Sequence, residues 1–223
     1  MFFNKIKKTD FKAGGLMLDS FPLSSVMEKD IEFQAPNKID HRELCIPTNN
    51  QGQTSECTGY STAGYIEIKH WQKKHFPKQY DASLIYKGAK EIDNFKGNGS
   101  WVKYTVQSAI NNGMIKGDIS FVSPTRMDLK FAIMEYGACI GSLSITNEWN
   151  QVYIKDGRIV NLGNNSHSIG GHAVLLCGFD QEGVYIQNSW GTEWGIYGFG
   201  LLPWELFDRQ FVGGVVIDNI EVL

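Results

Sequence analysis

The chain has no Cys-x-x-Cys pair, no Cys/His spacing of the zinc kind, no run of lysine and arginine, and no apolar stretch of membrane-spanning length. Each absence excludes something. Four cysteines, at 45, 57, 139 and 177, are too few and too scattered for a disulfide framework, so a reducing compartment is the simpler setting. No metal site and no cofactor are expected. A net charge of −3 without a basic tract argues against a nucleic-acid partner. Lys5, Lys7 and Lys8 are not followed by an apolar run of signal-peptide length. The expectation is a soluble chain with no membrane partner, either cytoplasmic or released without a conventional signal. Internal repeats and low-complexity tracts are absent too.

What is present is a chain of 223 residues that changes character near its middle. That length suits one large domain or two small lobes. Residues 1–39 form an extension without strong periodicity, broken by Gly14-Gly15 and Pro22 and ended by Pro36. Helical spacing then runs from Tyr60 through Ala63, Gly64 and Ile66 to Trp71. Thr58 and Gly59 disfavour a helix, so the turn before Cys57 is expected to set its start. Further helices are expected over Ala82–Ile92, over Trp101–Asn111 with Gly113 as the stop, and over Met127–Glu135 ended by Gly137. From Ala138 the period becomes strand-like: Ile140 to Ile145, Val152 to Ile154, Arg158 to Val160, His172 to Phe179, Val184 to Ile186, Tyr197 to Leu201 and Phe211 to Ile217. The fold class is α+β, helices first, then an antiparallel sheet or partly closed barrel.

The chemistry starts at Gln51-Gly52-Gln53-Thr54-Ser55-Glu56-Cys57. A polar turn delivers Cys57 to the first turn of a helix, where unpaired N–H groups and the helix dipole favour a thiolate. A buried cysteine that merely fills the core is the plainer alternative. Of five histidines, His41, His70, His75 and His167 read most simply as solvated. His172 differs, because Gly170-Gly171 lead into it and it opens the most apolar strand. Asn188 lies beside Trp190 in Gln187-Asn188-Ser189-Trp190-Gly191, where a buried amide needs a partner. A cysteine, a histidine and a third polar group that orients the imidazole are the parts of an acyl-transfer site.

Taken together these segments resemble the papain-like cysteine peptidases. Gly171-His172-Ala173-Val174 is similar to that family's Asn-His-Ala-Val around its histidine. Asn188-Ser189-Trp190-Gly191-Thr192-Glu193-Trp194-Gly195 matches its Asn-Ser-Trp-Gly-x-x-Trp-Gly block, sixteen residues after His172. Gln51 stands six residues before Cys57, as the family's oxyanion-hole glutamine stands before its nucleophile. Asp40-His41-Arg42 resembles the start of a mature peptidase. The resemblance covers about residues 40 to 218 and implies a two-lobed fold with the active-site cleft between the lobes. The helical lobe would be mainly 50–135 and the sheet lobe mainly 136–218, within a catalytic domain of 40–223. It implies a cysteine-type endopeptidase acting on peptide or protein substrates. Cys57 would be nucleophile and His172 base, paired as thiolate and imidazolium; Asn188 would orient the ring and Gln51 serve the oxyanion. Trp190 would cover the His172–Asn188 bond, and Gly170 and Gly171 would line a pocket open to a bulky apolar side chain. No protein partner is indicated.

The departures are specific. Thr54 replaces a disulfide cysteine, and Thr58 replaces the tryptophan after the nucleophile. The Cys-Asn-Gly-Gly substrate segment is absent, with Gly97 or Gly99 as its nearest substitute. The 115-residue step from Cys57 to His172 is shorter than the roughly 130–150 of the family. Bacterial or viral-type members without disulfides are the better comparison. Other readings are a Cys–His amidase or transglutaminase-like acyl transfer, and an inactive peptide-binding homologue. Residues 1–39 are too short for the family's helical pro-segment. Their apolar strip, Leu16-Met17-Leu18 with Phe21, is expected to lie either across the site or against the outside of the sheet lobe. The outer position is favoured.

Overall fold

The first helix, α1 (Cys57–Lys74), is buried on nearly every side. Its sequence suggests one apolar face, yet α2 (Ala82–Ile92) and α3 (Val102–Asn111) cover one flank and the sheet covers the other. The computed structural model describes residues 13–17 and 34–223. Gly59, a poor helix former, sits inside α1 because a Cβ there would lie 2.3 Å from the Ala82 carbonyl oxygen. That contact sets how closely α1 and α2 pack. The three expected later helices keep their bounds to within a residue. Asp81 caps α2 by accepting from Leu84 N–H at 3.0 Å. Thr125 likewise caps α4 (Arg126–Tyr136), and Gly137 in the left-handed region ends it.

The strands are β1 (Ile39–Asp40), β2 (Ile115–Val122), β3 (Cys139–Thr146), β4 (Ile154–Lys155), β5 (Arg158–Ile159), β6 (Ser168–Phe179), β7 (Gly183–Gln187), β8 (Phe199–Pro203) and β9 (Phe211–Val222). They form one open sheet in the order β2-β9-β3-β6-β7-β8-β5-β4, with β1 added to the end of β6. Pairing is antiparallel except where β5 meets β8 in parallel, so the sheet is mixed. A helical region and an incompletely closed sheet region thus make two lobes of an α+β fold.

Three segments depart from expectation, the first being Val152-Tyr153, which form a 3-10 turn (Gln151–Tyr153) ahead of β4 rather than a strand. β2 was not anticipated between the third and fourth helices; its charged residues hide an edge strand that pairs with β9. The stretch 50–135 is therefore not purely helical, and β9 continues past 218. The segment Trp204–Gln210 is a short helix, α5. His70 is buried against the Tyr80 hydroxyl at 3.1 Å, and His41 Nδ1 bonds the Gly137 carbonyl at 2.6 Å, so neither is simply solvated.

Candidate active site

The turn before α1 holds itself through Gln51. Its carbonyl accepts from Thr54 N–H at 3.2 Å and from the Thr54 hydroxyl at 2.7 Å. The same segment is stitched to the chain after β7. Gln51 N–H donates to Ser189 O at 2.8 Å, and Gly191 N–H donates to Asn49 O at 3.1 Å. Glu56, at the cap position, does not cap α1; its carboxylate accepts from the Ser83 hydroxyl at 2.6 Å. Cys57 is thus the first helical residue, and it is fully buried.

Backbone N–H groups of Ala173, Thr58, Cys57 itself and Gly15 lie around the Cys57 sulfur and favour its thiolate. Ala173 follows His172 on β6, so Cys57 at the start of α1 faces the strand that carries the imidazole. His172 faces Leu143 across the β3–β6 ladder and is also fully buried. Its Nε2 lies 2.8 Å from Asn188 Oδ1. That oxygen also accepts from Ser189 N–H at 2.8 Å, which identifies it as the amide oxygen and makes Nε2 the donor. In a neutral ring the lone pair then falls on Nδ1, which has no hydrogen-bond partner among the described residues. Gln51 joins the group from the other side: its Oε1 accepts from the Ser189 hydroxyl at 2.5 Å, and Nε2 donates to Thr54 O at 2.9 Å.

Two tryptophans wall the imidazole and a third backs them. Trp190 stacks on His172 with centroids 4.7 Å apart and planes at 29°. Trp149 meets the ring edge-on at 6.0 Å and 84°, and stacks on Trp194 at 5.9 Å. Trp149 was not anticipated, because its position after β3 has no local signature. Its indole N–H donates to Gln210 at 2.7 Å, and Trp194 donates to the Trp149 carbonyl at 2.8 Å. Ser189 was also overlooked as a partner of Gln51.

Residues 13–17 lie inside the cleft rather than against the outside of the sheet lobe, which corrects the favoured expectation. Gly14 N–H donates to Gly171 O at 2.8 Å on the sheet side. On the helical side Ser100 N–H donates to Gly15 O at 3.0 Å, and Met17 N–H donates to Ser100 O at 2.9 Å. Leu16 pairs in parallel with Ser100 and is buried. A Cβ on Gly15 would come within 2.5 Å of the Ser55 carbonyl oxygen, one on Gly171 within 2.6 Å of Leu16 O, and one on Gly99 within 2.5 Å of Gly15 O. Gly170 faces Gly14 at 3.1 Å. Of the glycines expected here, Gly99, Gly170 and Gly171 therefore touch the arm, whereas Gly97 is exposed and turned toward Phe95. The residue that pairs with the arm is Ser100. Leu18 and Phe21, the rest of the apolar strip, lie outside the described residues.

Burial sets the protonation states of this occupied site. It pushes the Cys57 thiol up to about 11, against the N–H donors that favour thiolate. It pushes His172 down to about 4, partly offset by Asn188. Both shifts favour the neutral forms while residues 13–17 fill the cleft. No disulfide joins the four cysteines.

No family model matches the chain. Mouse procathepsin L is 22% identical over 209 residues, covering 78% of this chain and 62% of that protein. Cysteine proteinase 1 of Dictyostelium discoideum is 23% identical over 229 residues, covering 82% and 65%. The chain thus spans less than two thirds of the length of these relatives. Xylellain, a cysteine protease from Xylella fastidiosa, superposes with a TM-score of 0.74 at 20% identity, over 98% of this chain and 99% of that one. Procathepsin B S9 from Trypanosoma congolense does so with a TM-score of 0.72 at 13% identity, over 92% and 86%. This chain has the fold of the papain-like cysteine proteases.

Proposed function

We propose that the chain is a cysteine-type endopeptidase acting on peptide or protein substrates through Cys57, His172, Asn188 and Gln51. The observation that carries this reading is the His172 Nε2–Asn188 Oδ1 bond, which leaves Nδ1 as the basic nitrogen one residue before Ala173, whose backbone lies against Cys57 at the start of α1. His172 Nδ1 takes the Cys57 proton, and the thiolate attacks the peptide carbonyl carbon. The developing oxyanion is stabilised by the Cys57 N–H and the Gln51 amide, each such donor being worth about 2.7–4 kcal/mol. The imidazolium gives its proton to the departing amine as the C–N bond breaks. Water, deprotonated by the same ring, then attacks the thioester, and the thiol returns. Asn188 keeps the tautomer throughout, and the stacked Trp190 shields that bond from water.

Residues 1–39 act in this reading as a short pro-like arm ahead of a catalytic domain of 40–223. Main-chain bonds to Gly171 on one wall and Ser100 on the other hold the arm in place of a substrate. The substrate pocket beside Gly170 and Gly171 is uncharged on that side and suits a bulky apolar side chain. No helix among the described residues is long and apolar enough to cross a membrane. The test is turnover of a peptide library by the full chain and by a chain beginning at Gln34, with labelling of Cys57 by a peptidyl epoxide at mildly acidic pH. Hydrolysis that rises on truncation and disappears in Cys57→Ala is expected. Activity that survives Cys57→Ala would remove the assignment.

A further inference from the structure

The wall that pairs with the arm is built around an ion pair between half-buried Lys90 and buried Asp93. Lys90, in the last turn of α2, donates to both carboxylate oxygens of Asp93 at 3.2 and 3.0 Å. The same ammonium reaches Phe95 O at 2.7 Å and Gly99 O at 3.1 Å, and lies 4.8 Å from the Phe95 ring centroid. Residues 93–100 thus wrap a lysine head as a loop wraps a cation. Asp93, whose side chain is fully buried, also accepts from Phe95 N–H at 2.9 Å and from the Ser100 hydroxyl at 2.8 Å. Burial pushes its carboxyl up, but the Phe95, Lys90 and Ser100 donors outweigh that and hold it below the usual range. Gly99 N–H donates to the Tyr86 hydroxyl at 3.0 Å, so both polar groups of Gly99 are tied to α2. With its side chain fixed to Asp93, Ser100 turns its N–H and C=O into the cleft, where they hold Gly15 and Met17.

We propose that Lys90 and Asp93 are positioning residues that fix the Ser100 backbone as the edge to which an extended peptide in the cleft pairs. The arm uses that edge now, and a substrate that replaces the arm uses it next; this second step rests on the peptidase reading. No disulfide braces the wall, so the ion pair does that work, with two carbonyls, the Phe95 N–H and the Ser100 hydroxyl as its rungs.

The full chain tests this through access to Cys57. Asp93→Asn and, as a milder change, Ser100→Ala are compared with the parent for the rate of alkylation by iodoacetamide, resolved by cysteine. Cys139, fully buried under the sheet, reports global opening. Amide exchange at Ser100 and Met17 is followed beside that of Ile66 and Leu175 in the core. The expected result is Cys57 alkylation at least tenfold faster relative to Cys139, with faster exchange at Ser100 and Met17 only. Equal acceleration at both cysteines, or an unchanged Cys57 rate, would overturn the proposal. Should Asp93→Asn fail to fold, Ser100→Ala decides the matter alone. A parent chain that hydrolyses no peptide would end the peptidase reading and leave these rates interpretable.

Discussion

At Cys57 backbone N–H groups surround the sulfur, and His172 Nδ1 is left without a hydrogen-bond partner among the described residues; their division of labour predicts unequal mutants. Cys57→Ala and His172→Ala should each abolish peptide hydrolysis, with melting temperatures within about 3 °C of the parent for Cys57→Ala, since little volume is lost. Asn188→Ala should keep a measurable remnant, because Asn188 orients the base and moves no proton. Gln51→Ala should lower kcat by about 10²–10³-fold, as loss of one oxyanion donor does. Steady-state kinetics on all four variants checks the order. Equal residual rates for His172→Ala and Asn188→Ala would contradict it. These four positions were legible in the sequence because acyl transfer needs particular side chains on particular short turns. The Asn-Ser-Trp block and the glycines before His172 preserve that need locally. Trp149 and Ser189 were not legible, since each meets its partner only through the fold.

Among the elements, the arm at residues 13–17 is held by backbone atoms on both walls and by the buried side chain of Leu16. Burying one leucine contributes about 2 kcal/mol, so a single steric fault should loosen the segment. Gly15→Ala supplies one: its Cβ would meet the Ser55 carbonyl group at 2.5–2.8 Å, and backbone there cannot step aside. The expected outcome is faster alkylation of Cys57 and several-fold higher turnover in the full chain, with the core unchanged in melting temperature to within about 2 °C. Adding a detached peptide of residues 10–20 should reverse the gain. Turnover that stays at the parent level would show that the arm leaves the cleft unaided.

Across the whole molecule the two lobes meet over a polar cavity lined by Tyr60, Gly64, Glu67, Ala173, Gln187 and Asn188. Burial pushes Glu67 up to about 7, and the Tyr80 N–H that it accepts at 3.0 Å offsets this only in part. The unfolded chain releases that proton near its ordinary 4.5, while the folded chain keeps it to about 7. Stability from this group is therefore fully present below pH 4.5 and is lost as pH rises toward 7. The loss is about 3 kcal/mol, or roughly 5–10 °C in melting temperature. Glu67→Gln keeps the acceptor for Tyr80 and should melt at a temperature that varies less between pH 5 and 8. A parent and variant with parallel pH profiles would exclude Glu67 as the source.

The amino-acid sequence by itself determined the helices of the first half, most strands of the second, and the side chains proposed for catalysis. Periodicity, caps and short turns are local, and the chemistry specifies residue types directly. Only the tertiary structure decided that β2 joins the sheet, that Ser100 rather than Gly97 forms the cleft edge, and that Gly14 to Met17 occupy the site. Those outcomes rest on main-chain hydrogen bonds and close approaches between segments far apart in the chain, which any residue type can make. The shift of Cys57 and His172 toward their neutral forms has the same origin. The residues of the dyad are written in the sequence, but their desolvation belongs to everything packed around them.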